Sequence, residues 1–253
     1  MSPNEPQGSA AEHTSAIERA VDQIRENIDV ILQKVNAGID NADSNWFLLS
    51  PALKIWISRS IDALRESLDK IMVIAREVLA HYTPVVSLVN ISFHWLDVVK
   101  KPVTNMVPTI ERWATRDRGA WDGSAAKHYE SQVVPAQKAA VEALGQKAGL
   151  MSEWLYGIAM ANIQYVTKLS EVIGKILGEV AAAALEAATV INIPWAIDRL
   201  AAAVGAIVEV AVNDLLGIVQ RIVEAGGRLR QLASDTADYS KFPDGAWPQA
   251  VTG

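Results

Sequence analysis

Apolar residues recur in this chain at alternating steps of four and three. Ile17, Val21, Ile24, Ile28, Ile31 and Val35 form one such series, the seam of a helix that packs lengthwise on another. The series predicts a helix from about Ala10 to Asn41. The run NADSNWFLLSP then supplies turn formers and ends in Pro51, which suits the first turn of a new helix because its missing N–H would be unpaired there anyway. Ile57, Ile61, Leu64, Leu68, Ile71, Ala75 and Val78 repeat the seam, so the two helices are expected to form an antiparallel hairpin.

After Tyr82-Thr83-Pro84, the stretch from Val85 to about Arg118 is less regular. Pro102 and Pro108 each delete a backbone donor, which predicts two short pieces. The chain turns between Arg118 and Ser124, with Asp122 or Ser124 placed to cap the next helix. From Ser124 to about Asn192 only Pro135 interrupts, and bends are expected near Pro135 and near Gly145 or Gly149. Ile193-Pro194 opens the last helix, whose series Ile197, Leu200, Val204, Ile207, Ala211 and Leu215 continues to Leu232 across a break at Gly226-Gly227. The seam of this second hairpin is rich in Ala and Gly, and small side chains let two backbones approach closely.

No pair of alternating runs flanks a hairpin turn, so no strand is expected. The pattern predicts an all-α fold: an elongated bundle of long antiparallel helical hairpins, roughly five to six helices, with no sheet. The expected divisions are a disordered tail over 1–9, an N-terminal hairpin over 10–82, a second helical region over 83–233 and a flexible tail over 234–253.

Composition narrows the chemistry. A chain of 253 residues that is 50% apolar can bury a sizeable core. Its formal net charge of -6 offers no basic surface to a phosphate backbone, so nucleic acid is not an expected partner. The absence of cysteine removes disulfides and thiolate chemistry together. His13, His81, His94 and His128 have no helical metal-ligand spacing among them, so no metal or other cofactor is expected. No nucleophile motif accompanies these histidines, and the chain reads as a non-enzyme. Glu179, Glu186, Glu209 and Asp214 interrupt apolar seams as a solvated helix face would. They also interrupt the two most apolar stretches, so no membrane-spanning segment is expected. Met1 to His13 lacks the basic and apolar regions of a secretory signal.

One segment carries specific information. Gly119 to Tyr129 reads GAWDGSAAKHY, a helix-turn-helix corner in which Trp121 would cover the junction. Gly123 would take a positive φ there, and Ser124 would accept from an orphan N–H of the new helix. A bare Trp-x-Gly is weak, with roughly 0.5 chance occurrences in a chain of this composition. The longer pattern Trp121-x-Gly123-Ser124-Ala125-Ala126-x-x-Tyr129 resembles the turn of the WXG family. These are the small ESAT-type helical hairpins exported by type VII (ESX) secretion systems of actinobacteria and related bacteria. It also looks like the longer ESX-associated Esp proteins, in which such a segment precedes Ala-rich apolar helices, as Ala181 to Val212 would here.

The resemblance implies a secreted or cell-surface protein that leaves the cytoplasm by a signal-peptide-independent route. Its partner would be a secretion chaperone or translocase component, a WXG-type chain or a second copy, recognised at Trp121, Gly123, Ser124 and Tyr129. The family's usual Tyr-x-x-x-Asp/Glu signal is missing: Val86, Val133, Met160, Leu169 and Pro243 stand four residues after the five tyrosines. A partner would therefore supply it. Family members usually pair as four-helix bundles, one hairpin per chain, so the N-terminal hairpin is expected to pack on the Trp121 hairpin as a built-in partner. The alternatives are conditional membrane action by the apolar hairpin from about Val172 to Arg228, with Trp46, Trp56, Trp95 or Trp195 as interfacial anchors, and a plain assembly or scaffold bundle.

Overall fold

The computed structural model describes residues 6–116, 122–187, 192–242 and 245–249. The protein is all-α, and no strand occurs among the described residues. Helix α1 spans Ala10–Ser44 and buries Ile17, Val21, Ile24, Ile31 and Val35 of the seam predicted for it, with Ile28 half-buried. A single 3₁₀ turn at Trp46–Leu48 leads to α2, Pro51–His81. Pro51 takes the first helical position, and the Ser50 hydroxyl accepts from the Leu53 N–H at 3.4 Å. Further on come α3, Thr83–His94, α4, Lys101–Thr104, and α5, Val107–Arg116. Then follow α6, Ser124–His128, α7, Val134–Glu186, α8, Ile193–Gly227, and α9, Leu229–Thr236.

Pro102 and Pro135 leave the chain helical, whereas Pro108 opens a new helix. Pro102 and Pro135 each sit in the first turn of a helix, directly after a turn of π-helix, at Trp95–Lys100 and Tyr129–Val133. The wider π ring takes up the register change that the missing proline N–H demands, so the chain stays helical through both sites. A non-helical break at Asn105 and Met106 precedes α5, whose second residue is Pro108, so the stretch is in two pieces as expected. Helix α7 runs unbroken through Gly145 and Gly149.

The chain folds as two units, and they do not follow sequence order. The first joins Ala11–Val86 to Ala161–Ile222, so it is a four-helix unit of two hairpins: α1 with α2, and the second half of α7 with α8. Gln23 on α1 accepts at 3.0 Å from Ser170 on α7. On α2 and α8, Ser60 donates to Asp198 at 2.7 Å, and Trp56 meets Trp195 edge to face with centroids 4.7 Å apart. A Cβ on Gly205 would lie 3.7 Å from Ser67 Oγ. Each of these pairings advances in the same direction along both helices, so α2 and α8 run parallel and both hairpin turns lie at one end. The N-terminal hairpin therefore packs on the distal half of α7 and on α8. The two compact units therefore cut across the expected divisions at 10–82 and 83–233.

The second unit comprises Met1–Ala10, Ser87–Met160 and Val223–Gly253. Ser152 Oγ donates to the Ser92 carbonyl at 2.7 Å between two buried residues, and Phe93 stands edge-on to Tyr156. The C-terminal stretch, expected to be a loose tail, is held along the first half of α7. Trp154 Nε1 donates to Ala225 O at 2.9 Å, and Gln137 Nε2 donates to Pro248 O at 3.0 Å. Lys147 Nζ donates to the carbonyls of Thr236 and Asp238 and lies 4.6 Å from the Tyr239 ring centroid. A cation at the carbonyl end of α9 satisfies groups that the helix itself cannot pair.

Candidate functional site

At the segment singled out in the sequence, the described chain resumes at Asp122. The α5 helix ends at Arg116, and a new helix begins at Ser124. Trp121 lies outside the described residues. Gly123 occupies the N-cap position at φ 101° and ψ -170°, a conformation that a residue with a Cβ rarely adopts. The Lys127 N–H donates back to Gly123 O at 3.2 Å.

The capping assignment needs correction. Ser124 is already the first helical residue and makes no capping hydrogen bond, because Gly123 takes the cap position. The Asp122 carboxylate accepts from the adjacent Gly123 N–H at 2.7 Å instead. Asp122, Gly123 and Ser124 are exposed, Ala126 is buried, and Tyr129 is half-buried at the start of the π turn. Gly123, Ser124 and Tyr129 thus fall within two turns of chain and offer a polar rim with one aromatic ring. Behind them, Lys138 on α7 donates to Glu111 on α5 at 2.6 Å, closing the hairpin below the corner. That hydrogen bond and the carboxylate's charge hold the Lys138 pKa above its ordinary value. Both groups are well exposed, so the pair contributes little to stability.

A second surface was not foreseen in full. At the turn end of the four-helix unit, Phe47 is 76% exposed and Trp195 is 63% exposed. Leu48, Ile55 and Leu185 are exposed as well, and Lys54 Nζ lies 5.8 Å from the Trp46 ring. The signal for it lay in Trp46-Phe47-Leu48-Leu49, four large apolar residues in a turn where polar ones are the rule. Among the described residues, one helix is long and apolar enough to cross a bilayer, by length and composition alone. An 18-residue window within Ile193–Thr236 has mean hydropathy 1.9, and 22% of it is buried. The uncharged stretches on either side of Glu209 and Asp214 give this window its hydropathy, although both carboxylates lie inside it.

The carboxylates weighed earlier as a helix face have identifiable surroundings. Asp214 pairs with Lys168 at 3.0 Å and Glu186 with Arg199 at 2.9 Å, while Glu179 and Glu209 are exposed. Comparison with protein-family models, with curated proteins and with solved structures gives no match to this chain.

Proposed function

We propose that the protein is a type VII (ESX) secretion substrate or an export-associated partner that works through helix-mediated protein binding and carries out no catalysis. The observation behind this reading is the conformation of Gly123. In the pattern Trp121-x-Gly123-Ser124-Ala125-Ala126-x-x-Tyr129, the glycine caps the helix that begins at Ser124 and adopts φ 101°. In this reading the corner is the surface that a secretion chaperone, a translocase component or a WXG-type chain grips, and export follows a signal-peptide-independent route. The test is export itself. In a host with an ESX system the chain reaches the culture filtrate, and deletion of the type VII ATPase or replacement of Trp121 and Gly123 keeps it in the cell. Export that survives both changes removes the proposal.

A second reading has its own support in the exposed Phe47, Leu48, Ile55, Leu185 and Trp195. Aromatic and aliphatic groups collected at one end of a helical unit suit the interfacial zone of a bilayer. In this reading the protein touches membranes conditionally. Co-sedimentation with anionic vesicles at neutral and acidic pH, lost on Phe47→Ser with Trp195→Ser, supports it. No sedimentation at either pH rejects it.

A further inference from the structure

Between α1 and the second half of α7, close to the turn end of the four-helix unit, lies a cavity of about 230 Å³. Its floor is apolar and buried, formed by Val35, Leu64, Val180, Ile197 and Leu200. Its exposed lining residues are Lys34, Ala37 and Asn41 on α1 and Ala184 on α7, and these mark the mouth.

Small residues at a helix crossing ordinarily bring backbones together. In the second unit they do so: a Cβ on Gly145 would stand 3.0 Å from Thr104 Oγ1. Gly38 behaves oppositely. A Cβ there would meet nothing within 4 Å, so Gly38, Ala183, Ala184 and Ala187 leave room instead of closing it. Drug-sized ligands fill pockets of about 300–1,000 Å³, so this one suits a narrower guest, such as an alkyl chain.

The rim selects the head group. Lys34 has no hydrogen-bond or ion-pair partner among the described residues, and no carboxylate lines the cavity. Glu186, beside the lining residue Ala187, is engaged by Arg199 at 2.9 Å. The Asn41 side-chain oxygen accepts from Asn45 Nδ2 at 3.1 Å, which leaves its own NH₂ as a second donor at the mouth. A site with an apolar floor, a free ammonium and an amide donor at the mouth, and no acidic wall fits a single-chain carboxylate. We infer that this cavity binds the alkyl chain of a free fatty acid, with the carboxylate held at the mouth by Lys34. This ligand site is independent of the export and membrane readings above.

The test uses the full-length protein and isothermal titration with saturated fatty acids from octanoate to tetradecanoate, each below its micelle concentration and without vesicles. Binding is expected to tighten about fourfold per added methylene until the cavity is full, and then to level off. Gly38→Leu occupies open space on a helix, so the variant is expected to keep or raise its thermal midpoint while losing about tenfold or more in affinity. Ala184→Leu, on the opposite wall, gives the same loss if the first variant misfolds. Lys34→Glu is expected to weaken decanoate about tenfold and to leave decanol unchanged. Three results overturn the inference: no saturable binding at any chain length, wild-type affinity in both filled variants, or decanol binding as tightly as decanoate with no effect of Lys34→Glu.

Discussion

The Ser60 hydroxyl on α2 donates a 2.7 Å hydrogen bond to the Asp198 carboxylate on α8, joining residues 138 positions apart. Ser60 is buried and Asp198 half-buried, so the bond pins the two hairpins of the four-helix unit at a point where the carboxylate has partly left water. Ser60→Ala removes the donor and leaves that acceptor short of a partner. A loss of about 1–2 kcal/mol is expected, read as a lowered denaturation midpoint with an unchanged slope in urea. A midpoint within error of wild type would mean that water replaces the hydroxyl at no cost.

Gly38 and Gly123, two of the glycines with open space around them, should respond in opposite directions. Neither Gly38 nor Gly123 has a neighbour within 4 Å of a built Cβ, but Gly123 stands at φ 101° and Gly38 lies in regular α-helix. Gly38→Ala should stabilise by about 0.5–1 kcal/mol through helix propensity. Gly123→Ala should cost about 1–2 kcal/mol in backbone strain. Thermal denaturation of the two variants side by side checks the signs. Equal shifts would mean that the corner relaxes to an ordinary conformation.

Lys147 ties down the segment after α9 through two carbonyls and the Tyr239 ring. Lys147→Met keeps the length of the stem and removes the donors. Amide hydrogen exchange over residues 233–242 should quicken by about tenfold or more, the equivalent of losing a charge-assisted contact. The four-helix unit should keep its protection. Unchanged exchange in the 233–242 segment would show that Trp154 and Gln137 suffice to hold it.

Burial raises the pKa of the Tyr165 phenol above its ordinary value. The folded protein then holds that proton more tightly than the unfolded chain does. The effect costs no stability below the ordinary phenol value of about 10, and stability falls as pH rises past it. Tyr165→Phe should flatten this alkaline slope and leave denaturation at neutral pH nearly unchanged. A slope that persists in the variant would assign it to other groups.

What the sequence made legible follows from the range of each signal. The seams of α1 and α2 and the Pro51 start are local, set by spacing within one helix, and the structure has them where the spacing puts them. The π turns before Pro102 and Pro135 have no such signal, because a proline states only which donor is missing and not how the chain absorbs the loss. Partner choice was equally hidden. Nothing in the periodicity of α2 distinguishes the seam of α8 from that of α7, and the decisive contacts, Ser60 with Asp198 and Trp56 with Trp195, involve single residues far apart in number. At the corner, the glycine's positive φ was legible from residue type, while the capping role expected of Ser124 falls to Gly123. The loose-tail expectation failed because the residue that satisfies the carbonyls after α9 is Lys147, which no local rule connects to them.

Interleaving of the two units bears on how the protein is made. On the ribosome, α1 and α2 emerge early, but the rest of their unit, within 161–222, emerges only after the whole of 87–160 has been translated. At roughly 5–20 residues per second, the nascent hairpin spends several seconds with a greasy stripe facing the cytosol. Translation stalled before residue 161 should therefore leave an aggregation-prone or chaperone-bound product, and the hairpin can bury that stripe only when synthesis is nearly complete.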